Sequence, residues 1–163
     1  MKQKYAGYKL LRSLIVVFLM PFSISISQEH EVSLEKLVKD SEVVVTGKVK
    51  KIECEIDHNK NIWTYVTIEC KQFLKGAKKN IITIKVPGGE IGELGQYVSG
   101  TPQYKIGEEV LNFLGRDKEG KYYVNGWENG KYSYKNGKWV KKNSVFTEQF
   151  IETVKAIIEK EPK

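Results

Sequence analysis

Histidine, cysteine, methionine and proline are all scarce in this chain of 163 residues, at two, two, two and four. A zinc site needs three or four His, Cys or carboxylate ligands in one geometry. His30 near the start, His58 at the tip of an expected hairpin and two well-separated cysteines do not supply that pattern. No nucleophile stands in a motif with either histidine, so we expect no metal, no cofactor and no enzyme. Gly88-Gly89-Glu90-Ile91-Gly92 has the glycines of a phosphate loop but neither the Lys-Ser or Lys-Thr ending nor a helical pattern behind it. Glycines there answer instead to backbone angles that other residues avoid. Nor is there an apolar run of the ~20 residues that a membrane span requires.

What is present begins with an export signal. Lys2, Lys4, Lys9 and Arg12 form a basic start without an acid, Leu14 to Met20 is an unbroken apolar core, and Pro21 ends it. Ser25 and Ser27 are the small residues read by a signal peptidase, so residues 1–27 are expected to be removed, leaving Gln28 as the mature terminus. The expected location is extracellular or periplasmic, without stable membrane insertion after cleavage. Removing four of the 27 basic residues leaves 23 against 20 acids, so the net charge falls from +7 to +3. The basic balance thus belongs mostly to the signal, and we expect no nucleic-acid partner. Residues 28–163 suffice for a single domain.

Ser33 can cap a short opening helix through Leu34, Leu37 and Val38. Val43, Val45, Gly47 and Val49 alternate as a strand, and Ile52, Cys54 and Ile56 continue it one position out of phase, the mark of a bulge. Asp57 to Asn61 make a polar turn, and a second long strand runs through Thr64, Val66, Ile68 and Cys70 to Leu74. With the turn centred near Asn59 and Lys60, Cys54 should face about residue 65 and Cys70 about residue 49. That separates them by roughly five residues, or ~16 Å along the strands, beyond disulfide reach. Two unpaired, mostly buried thiols are expected. Ile81 to Val86 is a third strand, and the glycine-rich stretch from Pro87 to Gly107 reads as a long, partly ordered loop. Further strands are expected at Val110–Leu114, Lys121–Trp127, Lys131–Tyr134 and around Trp139 and Val140. A closing helix starts near Thr147, with Phe150, Ile151, Val154, Ile157 and Ile158 as one stripe. The pattern implies a mostly β, OB-like antiparallel barrel of five or more strands with a helix at each end. A sandwich is the alternative, but one long bent strand serving two sheets favours the barrel. Val45, Val66, Ile68, Ile84 and Leu111 should then share a core.

One ordered set of segments carries a resemblance. Ser41-Glu42-Val43-Val44-Val45-Thr46-Gly47-Lys48-Val49 is followed by Trp63-Thr64-Tyr65-Val66-Thr67-Ile68, Leu74-Lys75-Gly76, Ile81-Ile82-Thr83-Ile84 and, after the glycine loop, Gly107-Glu108-Glu109-Val110-Leu111-Asn112-Phe113-Leu114. Over roughly residues 41–127 this resembles the netrin-like barrel of the tissue inhibitors of metalloproteinases, and more closely the uncharacterised secreted bacterial domains of that type. The resemblance implies the barrel. Those inhibitors chelate the protease zinc with an N-terminal cysteine, whereas the first cysteine after Gln28 here is Cys54.

Adjacent Glu108 and Glu109 point to opposite faces of a strand and cannot form one acid pair. The suggestive patch is residues 120–142, where Gly120-Lys121-Tyr122, Gly130-Lys131-Tyr132 and Gly137-Lys138-Trp139 form an imperfect repeat with six lysines against one acid, Glu128. Trp127, Tyr132, Tyr134 and Trp139 either form an exposed platform for a ligand or pack in the core beneath the closing helix. These four, with Gly88 and Gly89 of the loop, are the candidate ligand-binding residues. The expected function is a secreted, non-enzymatic OB-type binding or interaction module, monomeric, with a protein partner or an extracellular glycan. A protease inhibitor or protease-associated domain and a cell-envelope glycan binder are the alternatives.

Overall fold

The computed structural model describes residues 32–161. The expected signal at residues 1–27, the terminus at Gln28 and His30 lie outside the described residues. Helix α1 (Leu34–Asp40) starts at Ser33, whose hydroxyl accepts the Lys36 amide at 3.2 Å. Beyond its end the Ser41 hydroxyl donates to the Leu37 carbonyl at 2.6 Å.

Two long strands, β1 (Val43–Ile56) and β2 (Ile62–Lys75), form a hairpin, followed by β3 (Ile81–Pro87). Next come a small hairpin of β4 (Gly89–Ile91) and β5 (Leu94–Gln96), then β6 (Glu109–Arg116) and β7 (Tyr122–Val124). A 3₁₀ turn (Trp127–Gly130), β8 (Lys131–Lys135), β9 (Lys138–Lys141), β10 (Ser144–Phe146) and helix α2 (Phe150–Glu159) complete the order. The glycine-rich stretch is therefore more ordered than expected, because it folds back as β4 and β5, with Gly89 opposite Gln96.

Strand β1 pairs with β2 along its length and with β6 through Val43–Lys48. Since β2 also pairs with β3, β3 with β7 and β7 with β6, five strands close a ring. One pairing departs from the antiparallel expectation: β3 and β7 run parallel, with Ile84 opposite Tyr122. Beyond β6 the sheet continues through β8, β9 and β10.

The ring depends on β1 bending. Its register against β2 shifts at Val44/Val45, Thr46/Gly47 and Val49/Lys51, the last where the apolar alternation changes phase. These shifts set Cys70 opposite Gly47, while Cys54 lies opposite Thr64, and both cysteines are free.

Apolar residues fall into two cores. One takes Val45, Val66, Ile68, Ile84, Val110, Leu114 and Val124 from all five ring strands and fills the interior. The other, on the opposite face, gathers Val44, Leu111 and Phe113 with Leu37 and Val38 of α1, Tyr132, Trp139, and Phe150 and Val154 of α2. Leu111 thus belongs with the helices and not, as expected, with Val45. Strand β6 is buried on both faces, so its run Val110-Leu111-Asn112-Phe113-Leu114 has no alternation from which to read a side. Each such aliphatic side chain contributes about 1.5–3 kcal/mol on burial. The cap of α2 also differs from expectation. Gln149 precedes the helix without a side-chain cap, and Thr147 instead closes a turn through its carbonyl, which accepts the Phe150 amide at 3.0 Å. Among the described residues, no helix is long and apolar enough to cross a membrane.

Candidate functional site

The aromatic patch divides into a buried and an exposed part. Tyr132 and Trp139 are 2% and 8% exposed, which excludes them from an open platform. Alternation along β8 and β9 turns both toward α2, where the Tyr132 ring lies 4.7 Å from that of Phe150. Tyr134 borders this core, its ring 5.1 Å from Trp139 and its hydroxyl donating to Glu148 at 3.1 Å. Of the four, only Trp127 stands open to solvent, at 53% exposure.

Trp127 holds a left-handed backbone at φ +57°, directly after Gly126 at +67°. A bulky residue is rarely found there, and strain of this kind gathers at functional sites. Gly126 is favoured by its own positive φ, and a Cβ at that position would also come within 2.8 Å of Leu37 Cδ2. The chain thereby crosses α1 closely and delivers Trp127 to a cleft of about 380 Å³ bounded by Trp63, Lys85, Pro87, Pro102, Asp117 and Tyr123.

Each of the other two aromatic walls has its own support. Trp63 donates its indole N–H to Asp57 Oδ2 at 2.9 Å, while Asp57 Oδ1 accepts the amides of Asn59 and Asn61. The indole bond, with those backbone bonds, holds the Asp57 carboxyl down to about 2, so it remains an anion that anchors both turn and indole. Lys85 Nζ lies 4.1 Å from the Trp63 ring centroid. Tyr123 stands opposite Gly115 in the β6–β7 pairing, and a Cβ on Gly115 would lie 2.6 Å from the Tyr123 ring. Glycine at 115 therefore gives the tyrosine ring its seat.

Gly88 and Gly89 line a second cavity, of about 540 Å³, which shares Val86, Pro87 and Pro102 with the cleft. Gly89 has φ +140°, and a Cβ on it would lie 2.5 Å from Thr64 Oγ1 and 2.8 Å from Cys54 Sγ. The close passage is held by Thr64, whose hydroxyl donates to the Gly88 carbonyl at 2.6 Å. Gln96 closes the far side, its Oε1 accepting the Ile62 amide at 2.6 Å. Glu90, Tyr97, Thr101 and Gln103 add polar groups to the lining.

Pro102, common to both cavities, belongs to the segment between β5 and β6, and this segment is tied down by Lys131. Lys131 Nζ donates to the Gln103 carbonyl, to Glu108 Oε1 at 2.7 Å and to Ser133 Oγ. Burial raises the Glu108 carboxyl, but the bonds from Lys131 and Ser133 outweigh it and hold the group below its usual range. Glu109 faces away and pairs with Lys71 on the surface. Tyr104, in the same segment, reaches inward and donates to Asn112 Oδ1 at 2.6 Å.

Trp63, Lys85, Pro102, Asp117 and Tyr123 were not among the sequence-derived candidates. The available signal was Trp63 alternating with Tyr65 on the outer face of β2, opposite Pro87 and Lys85. The cleft has three aromatic walls, a cation and a carboxylate, which suits it to hold a ring-shaped ligand by stacking. Among the described residues, no three His, Cys, Asp or Glu side chains are grouped to hold a metal ion. No protein-family model and no curated protein matches the chain.

Proposed function

We propose that this protein is an exported, non-enzymatic binding module of OB type, and that its ligand is a glycan seated between Trp63, Tyr123 and Trp127. The observation that carries the reading is the strained, half-exposed Trp127 lining one cleft with two aromatic rings, each positioned by a dedicated partner. Rings held in this way lose little freedom on binding, and the C–H face of a pyranose packs well on such walls. The OB-type assignment, and with it the netrin-like likeness, rests on the bent β1 that closes a five-strand ring by pairing with both β2 and β6. A protein partner is the second reading, favoured by the exposed apolar side chains of Leu94, Tyr97 and Ile106.

Retention on purified cell-wall polysaccharide tests the proposal. The unaltered protein should be retained and Trp127→Ala should pass through, with equal melting temperatures. Equal retention of both, or of neither, overturns the glycan assignment.

A further inference from the structure

Beside the aromatic cleft lies the polar cavity, and the two meet at Val86, Pro87 and Pro102. We infer that they form one extended groove for a neutral, linear oligosaccharide, with one ring stacked in the cleft and the following units in the polar cavity. The inference rests on the glycan reading of the cleft and adds the ligand's length and charge.

Length follows from the shared wall. The two cavities, about 380 and 540 Å³, are each of a size that holds a small ligand, so a single sugar ring fills only one. Chain character follows from the change in chemistry across the prolines, from aromatic faces to hydrogen-bonding groups. In the polar cavity Gln96 spends its carbonyl oxygen on Ile62, leaving its amide N–H groups for a ligand. Glu90 offers a carboxylate and Tyr97, 86% exposed, a hydroxyl. A sugar hydroxyl both donates and accepts, so it satisfies an amide and a carboxylate alike, whereas a proline-rich peptide lacks the N–H donors that the carboxylate needs.

Neutrality follows from charge. Asp117 stands in the cleft and Glu90 in the polar cavity, with Lys85 as the cation among the lining residues. No lysine of residues 120–142 is among the lining residues of either cavity, and two of them are engaged elsewhere. Lys131 is buried against Glu108, and Lys142 pairs with Glu128 at 2.9 Å.

The test is titration of the full chain, followed by tryptophan fluorescence, with β-1,4-linked glucose and N-acetylglucosamine oligomers from monosaccharide to hexasaccharide. Affinity should rise about tenfold or more between disaccharide and hexasaccharide, the equivalent of one or two added hydrogen-bonded contacts. Tyr97→Ala and Glu90→Ala, both at exposed positions, should remove that gain while leaving disaccharide affinity intact. Trp127→Ala should weaken every length. Affinity that does not change beyond the disaccharide, yet is lost in Trp127→Ala, overturns the extended groove and leaves the cleft. Absence of saturable binding at every length, or binding of a proline-rich peptide in place of the sugars, overturns both.

Discussion

Trp127 and Trp139 lie twelve positions apart in one lysine-rich stretch, yet they do opposite work. Trp139 packs under α2, so Trp139→Ala should cost about 3–5 kcal/mol in denaturant melts, as expected for emptying a buried aromatic site. Trp127→Ala should change stability by about 0.5 kcal/mol or less, being a surface truncation. The left-handed backbone at residue 127 sharpens the contrast. Trp127→Gly should melt no lower than Trp127→Ala, because glycine relieves strain that alanine keeps. A clearly lower melt for the glycine variant would mean that the backbone there is unstrained. At Asp57 the prediction concerns pH. Its carboxyl is depressed from 3.8 to about 2, so its stabilisation is fully present above about pH 4 and fades as pH falls towards 2. Asp57→Asn should remove that part of the acid sensitivity and alter the Trp63 emission.

Among the elements, the segment between β5 and β6 is the one on which the site depends, since it carries Pro102 between the two cavities. It is long and has no regular structure after β5, and Lys131 of β8 holds it through bonds to Gln103 and Glu108. Lys131→Met should cost roughly 3–5 kcal/mol, because it strands the Glu108 carboxylate in a largely buried place. The double variant with Glu108→Gln should recover part of that loss. Failure to recover would show that the lysine acts by packing rather than by charge. The β4–β5 hairpin was not legible in the sequence because its strands are three residues each and their pattern is dominated by glycine. Strand β1 was legible down to its bulge, since a change of apolar phase between Val49 and Ile52 has no other simple cause.

For the whole molecule, two cores share one sheet, and β6 and the first half of β1 are buried on both sides. No covalent staple contributes among the described residues, as both cysteines are free. The melting temperature should therefore be the same with and without a reducing agent, and denatured protein should titrate as a free dithiol. A drop on reduction would reveal a bridge. At high pH Tyr104 contributes to the loss of stability, since its hydroxyl is held far above its ordinary value by burial and by Glu108. A raised value means that stability is intact below about pH 10 and falls as pH rises beyond it, because the unfolded chain loses the proton more easily. Tyr104→Phe should flatten that alkaline decline while lowering stability at neutral pH by about 1–3 kcal/mol, since Asn112 loses its donor.

By itself the sequence determined the longer strands in their order, both helices, the bent first strand and the separation of Cys54 from Cys70, because local periodicity and turn chemistry act over a few residues. It did not determine which face of β6 each residue takes, since a strand apolar on both sides carries no parity signal. Nor did it separate Trp127 from Tyr132 and Trp139, which are equivalent by composition and divided by the turn at Gly126 on one side and by alternation along β8 and β9 on the other. The cleft joins Trp63, Lys85, Asp117, Tyr123 and Trp127 from four separate parts of the chain. Only closure of the sheet into a ring, which sets β3 beside β7, brings those side chains within reach of one another.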